Sequence, residues 1–474
     1  MKTDEGQHLS FLVTRREMRD RDVQPFFEDY PEITVLLAAL LAMGCGSEPE
    51  AEPATGPCWG PGCVETVSES PENPSLVVFA VMDTVRAASL SMCGYGRPTS
   101  PFLQSMVDAG AAWSCRAQTP SSWTVPSHAS FFTGKNVFEH NSHRRGESIL
   151  PLASEWETLA ERFSGRGYDT VCISANSFVS EGSGLTQGCD FIRKGLRKLR
   201  GDEVVSQLGE VLEGRTHTDR PLFVFLNFYE AHTPWQPVPA GVEWLESREL
   251  LENDTAKRWD FVLGKMGDRE AQEYIEHIGD LYDYGVFLED RYLGEAFELL
   301  NERGLMAGGV RFVVTSDHGE LLGEHGLLNH GKTLHEPITR VPLVYWEKPT
   351  RGEVHFPESP FSAISSYYLV LEGRYVPVPA MAVDLPFPYW AKHTGGKVGN
   401  ETWFARWEGS RKTIWKDGQA QRIDLDADPD ESDARLVDTP LPVEFQGIVS
   451  VEKPESEPTP PEMLEMLKAL GYAE

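Results

Sequence analysis

Hydrophobic and polar positions along the chain fall into alternating blocks. Four short, largely apolar runs recur at 76–82, 168–174, 221–228 (PLFVFLNF) and 309–315 (GVRFVVT). Runs of this length bounded by turn residues suit strands buried on both faces of a parallel sheet. Between them lie stretches with helical periodicity, 155–163, 202–212 and 256–304, the last with Ile275, Ile278, Leu281, Tyr282, Val286 and Leu288 on one face. This βαβ rhythm predicts a doubly wound α/β domain with a mostly parallel sheet. From about Glu353 the pattern changes: prolines 377, 379, 386 and 388 punctuate irregular sequence, and short alternating segments follow at 403–407, 413–415 and 422–425. With Asp417-Gly418 as a hairpin signal, they predict a small antiparallel sheet in an α+β subdomain, closed by an amphipathic helix over 462–470.

The N-terminal part reads differently. Residues 33–43 (ITVLLAALLAM) are apolar but too short to span a bilayer comfortably, and they end in Gly44-Cys45-Gly46-Ser47. This resembles a bacterial lipoprotein lipobox with Cys45 lipidated, although Glu28, Asp29 and Glu32 precede it where positive charge is expected. Residues 1 to about 30 therefore read as a mis-called translation start, and an uncleaved anchor or buried helix is the alternative. Residues 48–74 are rich in Pro, Glu, Ser and Gly and read as a tether. The expected organisation is a leader over 1–44, a disordered linker over 45–74, the α/β domain over 75–352 and the smaller subdomain over 353–474. The expected location is outside the cytoplasm, lipid-anchored to a membrane.

Composition narrows the partners. Asp and Glu outnumber Lys and Arg 73 to 43, a net charge of −30 over 474 residues, which argues against nucleic acid. With Cys45 lipidated, six of the seven cysteines remain. Cys58 and Cys63 flank a Trp-Gly-Pro-Gly loop; Cys93, Cys115, Cys172 and Cys189 either pair or stay as buried thiols.

Candidate chemistry sits where the apolar runs end. Asp83 follows the first run and Asp317-His318 the last; a carboxylate beside an imidazole at a strand's carboxyl end suits a hard metal ion. Thr124-Val125-Pro126-Ser127-His128 opens a mostly apolar segment, and Pro126 belongs in the first turn of a helix. Thr124 then lies where unpaired N–H groups and the positive end of the helix dipole favour an anion. Residues 229–235 (YEAHTPW) and 316–343 (SDHGELLGEHGLLNHGKTLHEPITRVPL) add further His, Lys and Gly.

These stretches resemble the sulfatase family of the alkaline phosphatase superfamily, whose nucleophile opens a C/S-x-P-S-R-x-x-x-x-T-G motif. Pro126, Ser127, Thr133 and Gly134 match; Thr124 stands at the position converted to formylglycine, and His128 replaces the arginine. Threonine cannot become formylglycine. The resemblance implies that Thr124, His128, His232 and Lys332 are catalytic and that Asp83, Thr124, Asp317 and His318 hold one divalent cation, Ca²⁺, Mg²⁺ or Mn²⁺, with Zn²⁺ admitted by the imidazole. It implies substrate contacts from Arg86, His325 and His330. A second metal would need His232, His330 and a further carboxylate, for which Glu230 is the candidate. The expected activity is metal-dependent hydrolysis of an anionic ester, phosphate (di)esters first, or transfer of a phosphoryl group, with sulfate ester hydrolysis second; the alternative is an inactive fold that binds anionic glycans or lipids.

Overall fold

The computed structural model describes residues 74–146, 148–192 and 199–449. The expectations for the leader, the tether, Cys45, the Cys58/Cys63 loop and the helix at 462–470 lie outside them.

The main sheet has eight strands: β1 (Leu76–Met82), β2 (Ala112–Gln118), β3 (Asp169–Ser174), β4 (Phe191–Ile192), β5 (Leu222–Phe228), β6 (Val310–Thr315), β7 (Arg340–Lys348) and β8 (Phe361–Ser362), in the order β8-β2-β7-β6-β1-β5-β3-β4. All run parallel except β7, which is antiparallel to both β6 and β2. β1 lies at the centre, in register with β5 and β6, and every one of its residues is buried. Its unbroken apolar sequence follows from this position, since both faces are covered.

On one face Val77, Phe79 and Val81 pack in one cluster with Phe131 of α2 (Thr124–Thr133), Phe163 of α3 (Leu159–Gly165) and Leu369 of α7 (Ser365–Glu372). On the other lie α1 (Pro101–Asp108), α4 (Gly201–Gly214) and the 35-residue α6 (Asp268–Glu302), which touches both. The helical stretch expected over 256–304 is two helices, α5 (Asp254–Val262) and α6. β8 and α7, which fall beyond the boundary expected at 353, join the main layer because β8 pairs with β2.

The second sheet is a five-stranded antiparallel meander, β9 (Met381–Asp384), β10 (Trp403–Glu408), β11 (Arg411–Lys416), β12 (Gln419–Asp424) and β13 (Arg435–Val437). A short helix, α8 (Pro388–His393), lies between β9 and β10. Disulfides join Cys93 to Cys115 and Cys172 to Cys189. Among the described residues, no helix is long and apolar enough to cross a membrane.

Helix α6 buries acids as well as apolar residues, and it uses them to hold loops. Asp290 accepts the N–H groups of Phe102 (2.7 Å) and Leu103 (3.0 Å) in the first turn of α1, where such donors lack helical partners. Glu289 accepts the N–H of Ala231 (2.7 Å), and Asp283 accepts the Tyr95 hydroxyl (2.6 Å) and Arg97. Gly285 lets α6 approach the same loop, since a Cβ there would lie 2.4 Å from the Glu230 carbonyl oxygen.

Candidate active site

The carboxyl ends of β1, β3 and β6 and the N-terminus of α2 meet at one buried point. Asp83 leaves β1 with one carboxylate oxygen accepting the Thr84 hydroxyl (2.9 Å) and the other the amides of Asn176 (2.8 Å) and Asn227 (3.3 Å). Thr84 takes φ +69°, a costly left-handed conformation for a β-branched residue. It is held there from both sides: its N–H donates to Asp317 Oδ1 (3.1 Å) and its carbonyl accepts the hydroxyl of Tyr282 on α6 (2.9 Å).

Asp317 and His318 follow β6 directly. Asp317 Oδ1 also accepts the N–H of His318 (2.9 Å), while Oδ2 lies 3.3 Å from His318 Nε2 and accepts no hydrogen bond. His318 Nδ1 is 3.0 Å from the Gly319 carbonyl, which assigns the proton to Nδ1 and leaves Nε2 as a buried acceptor without a partner. Ligand atoms of Asp83, Asp317 and His318 all lie within 4.8 Å of one another. Burial raises both carboxyls to about 7, helped at Asp83 by the charge of Asp317. Two buried carboxyls and an orphaned imidazole nitrogen aimed together are the donor set a divalent cation requires.

Thr124 is the first residue of α2, after Trp123 in extended conformation. Pro126 occupies the first turn, and Gly134 ends the helix at φ +70° with no room for a Cβ, which would meet the Tyr367 ring at 2.7 Å. The Thr124 hydroxyl oxygen accepts a hydrogen bond from Asn176 Nδ2 (3.1 Å) and is close enough to Asp317 to favour its carboxylate. Asn176 Oδ1 accepts the Phe178 N–H (2.9 Å), which fixes the amide with its N–H₂ towards Thr124 and Asp83. A small cavity, about 40 Å³, opens in front of Thr124 and is lined by Trp123, Arg144, His232, His330 and Trp390 among others.

His232 stacks on Tyr229 with centroids 4.2 Å apart and meets His330 edge-on at 4.8 Å. His330 Nδ1 is 3.1 Å from Glu320, whose carboxyl burial raises to about 7. Lys332 sits 3.8 Å over the Trp390 ring and donates to the Leu328 carbonyl; burial lowers it to about 7. Arg144 donates to Gly331 O (2.9 Å) and Asp384 (3.0 Å) between the rings of Trp123 and Phe387.

Three expected contacts fall elsewhere. His128 lies behind the site, its Nδ1 3.0 Å from the Thr124 carbonyl and 3.6 Å from Asp317 Oδ2, with its ring against Phe131, Phe132 and Phe225. Burial lowers it to about 3, so it is uncharged and backs Asp317 instead of meeting an anion. Arg86 is taken by Glu324 (2.5 Å) and Ser89 (2.8 Å) and does not line the cavity. His325 stacks face to face on His335 at 3.7 Å, in a network where Glu431 accepts from His335, from the Glu336 N–H and from Lys412. Parallel rings carry parallel in-plane lone pairs, which do not converge on one ion, and Lys412 already neutralises Glu431. Glu230 likewise accepts the N–H groups of Gly201 and Tyr229, which takes up the carboxylate that a second metal would need.

Asn176, Arg144 and Glu320 were not singled out from the sequence. Asn176 had one available signal, its place just after an apolar strand, as Asp83 has after β1 and Asp317 after β6.

The sulfatase family profile matches residues 75–365. An uncharacterised sulfatase of Escherichia coli K12, YidJ, is 22% identical over 335 residues, 60% of this chain and 65% of its own length. Arylsulfatase K of Xenopus laevis is 23% identical over 446 residues, 78% of this chain and 80% of its own. Among solved structures, the phosphonate monoester hydrolase of Agrobacterium radiobacter superposes with a TM-score of 0.56 at 17% identity, covering 76% of this chain and 91% of that one.

Proposed function

The chain belongs to the sulfatase family, and on that premise we propose that it is a metal-dependent ester hydrolase whose nucleophile is Thr124 and whose preferred substrate is a phosphate ester, diesters first. The observation that carries this is the Thr124 hydroxyl at a helix N-terminus, fixed by the Asn176 amide beside the Asp83, Asp317 and His318 donor set.

A divalent cation held by Asp83, Asp317 and His318, with the Thr124 oxygen as a further ligand, would favour the alkoxide and offset charge on the ester. The Thr124 proton passes to solvent as the oxygen ionises, and Asn176 stabilises the oxygen as it gains charge. The oxygen attacks phosphorus; the new O–P bond forms as the bond to the leaving oxygen breaks, and His232 supplies the proton that the leaving alcohol takes up. Arg144 and His330 face the nonbridging oxygens, and Glu320 orients His330. Water then attacks phosphorus of the phospho-Thr124 ester and gives a proton to the now neutral His232, while the bond to the Thr124 oxygen breaks and that oxygen takes up a proton from solvent to regenerate the hydroxyl.

Sulfate esters are the second reading, supported by the resemblance to arylsulfatase K. Formylglycine enzymes expel bound sulfate by elimination from the second hydroxyl of a hydrated aldehyde. Thr124 has one hydroxyl, so a sulfo-threonine would lack that exit. Matched aryl phosphodiester, phosphomonoester and sulfate substrates assayed with Mn²⁺, Ca²⁺ or Zn²⁺ test the reading. Phosphodiester turnover should lead and vanish in Thr124→Ala; sulfate turnover that exceeds it and persists in Thr124→Ala would overturn both nucleophile and preference, and no turnover of any ester would favour the binding protein.

The two disulfides support an oxidising compartment. We place the protein outside the cytoplasm, tethered through Cys45. Cys45→Ala should move it from the membrane to the soluble fraction.

A further inference from the structure

The first strand of the second sheet, β9, ends on Asp384 and is stitched to the turn that leads into α2. The Val383 N–H donates to the Pro120 carbonyl (2.9 Å), and the Ser121 hydroxyl donates to the Val383 carbonyl (2.8 Å). Asp384 is therefore fixed relative to Thr124. It is buried and accepts from Arg144 at 3.0 Å, while Phe387, which follows β9, lies 4.7 Å from the same guanidinium and Trp123 lies at 4.6 Å. A planar guanidinium between two rings, with one nitrogen bonded to both Asp384 and the Gly331 carbonyl, is held in one orientation. Asp384 itself does not line the cavity and has no part in the ester chemistry above.

The pair also sets a charge. Arg144 is the one arginine or lysine that lines the cavity among the described residues. A guanidinium is charged at any working pH, so alone it would favour the most highly charged anion that fits. Asp384 removes that bias. Burial pushes its carboxyl up and Arg144 draws it back down; at 3.0 Å the two present directed N–H donors to the cavity with no net charge between them. A second negative charge on a bound anion then loses its hydration without gaining a further counter-charge from this pair, which is costly in a buried site.

We propose that Asp384 is a positioning and specificity-determining residue supplied by the second sheet: it orients Arg144 and cancels its charge, which biases the cavity against anions that carry two negative charges. The assignment rests on the reading of Arg144 as a contact to the nonbridging oxygens, and its test needs no turnover. The full-length protein loaded with Mn²⁺ is titrated by calorimetry at about pH 8.5 with inorganic phosphate, there a dianion, and with dimethyl phosphate, a monoanion. Asp384→Asn keeps an acceptor for Arg144 and removes the charge. Coulomb energy scales with ligand charge, so a gain of roughly threefold for dimethyl phosphate should accompany one of roughly tenfold for phosphate. Asp384→Glu, which keeps the charge, should leave the ratio of the two affinities as in wild type, and Asp384→Ala, which also removes the acceptor, should bind both ligands more weakly than Asp384→Asn. A merely structural role would lower the melting temperature without moving that ratio. Should Asp384→Asn fail to fold, Arg144→Gln is compared with the double variant Arg144→Gln/Asp384→Asn, which leaves no arginine unpaired, and the double variant should bind phosphate more tightly by the larger factor. Equal changes for the two ligands, or no change, overturn the proposal in either pair. If the ratio shifts as described but no ester is cleaved, the esterase reading fails and the role of Asp384 stands; turnover with an unmoved ratio refutes the role of Asp384 alone.

Discussion

Asn176 gives the most direct test of the site. It is 2% exposed, and its amide is fixed by the Phe178 N–H, so its two donors have defined targets, Asp83 at 2.8 Å and Thr124 Oγ1 at 3.1 Å. In the resting protein the second contact joins neutral groups and contributes about 0.5–1.5 kcal/mol; as the oxygen gains negative charge, it strengthens to about 1.5–3 kcal/mol. Asn176→Ala removes the donor at the moment it matters. The difference between the two states, about 1–1.5 kcal/mol, would lower kcat by roughly 5- to 13-fold, and KM should change little because ground-state binding of the ester uses other groups. Asn176→Asp keeps the acceptor for Phe178 but turns the donor into a carboxylate facing Thr124 and Asp83, so its kcat should fall further than that of the alanine variant. Initial rates on an aryl phosphodiester at saturating metal, with melting temperatures to establish folding, provide the assay. The reasoning is refuted if the folded alanine variant keeps kcat within about threefold of wild type, or if the aspartate variant is the more active of the two.

Other outcomes follow from the buried charges. With no cation bound, Asp83 and Asp317 hold their protons up to about 7, so metal binding must displace them, and affinity measured by calorimetry should drop below that pH by as much as about 100-fold per unit if both are displaced; affinity that is flat there would contradict the donor set. Lys332 is lowered from 10.5 to about 7 by burial, so the folded state binds fewer protons than the unfolded one between those values, and stability should rise with pH across that window. Lys332→Met should abolish that rise in urea titrations at the two ends of the window. Lys412 is fully buried between Glu336 (3.0 Å) and Glu431 (2.7 Å); Glu431→Gln should cost about 3 kcal/mol, since Glu336 still offsets part of the charge, and a midpoint unchanged in denaturant would argue against the network.

Some of this architecture was readable before any coordinates. β1, β5 and β6 announce themselves because strands buried on both faces need unbroken apolar sequence, and Asp83 and Asp317 announce themselves by ending those strands. The antiparallel direction of β7 was hidden, since RVPLVYWEK is as apolar as its parallel neighbours and strand direction leaves no mark on composition. His325 and His330 share one Gly-rich stretch, yet His330 enters the cavity while His325, at φ +55°, turns onto His335. Motif spacing cannot separate them because the backbone reverses between them. Asn176 and Arg144 stayed invisible for a different reason: a lone amide and one of two adjacent arginines acquire their roles only through partners 52 and 240 residues away.

The loops that α6 holds are anchored by its acids through backbone N–H groups, those of Phe102, Leu103 and Ala231. Every residue type except proline supplies that donor, so the helix grips the chain without regard to which side chain it carries. At Ala231, beside His232, this grip is therefore indifferent to the side chain carried. Substitution at the gripped positions should accordingly stop short of proline, and loss of Asp290 or Glu289, which take no part in the ester chemistry, should lower stability by leaving buried N–H groups unpaired.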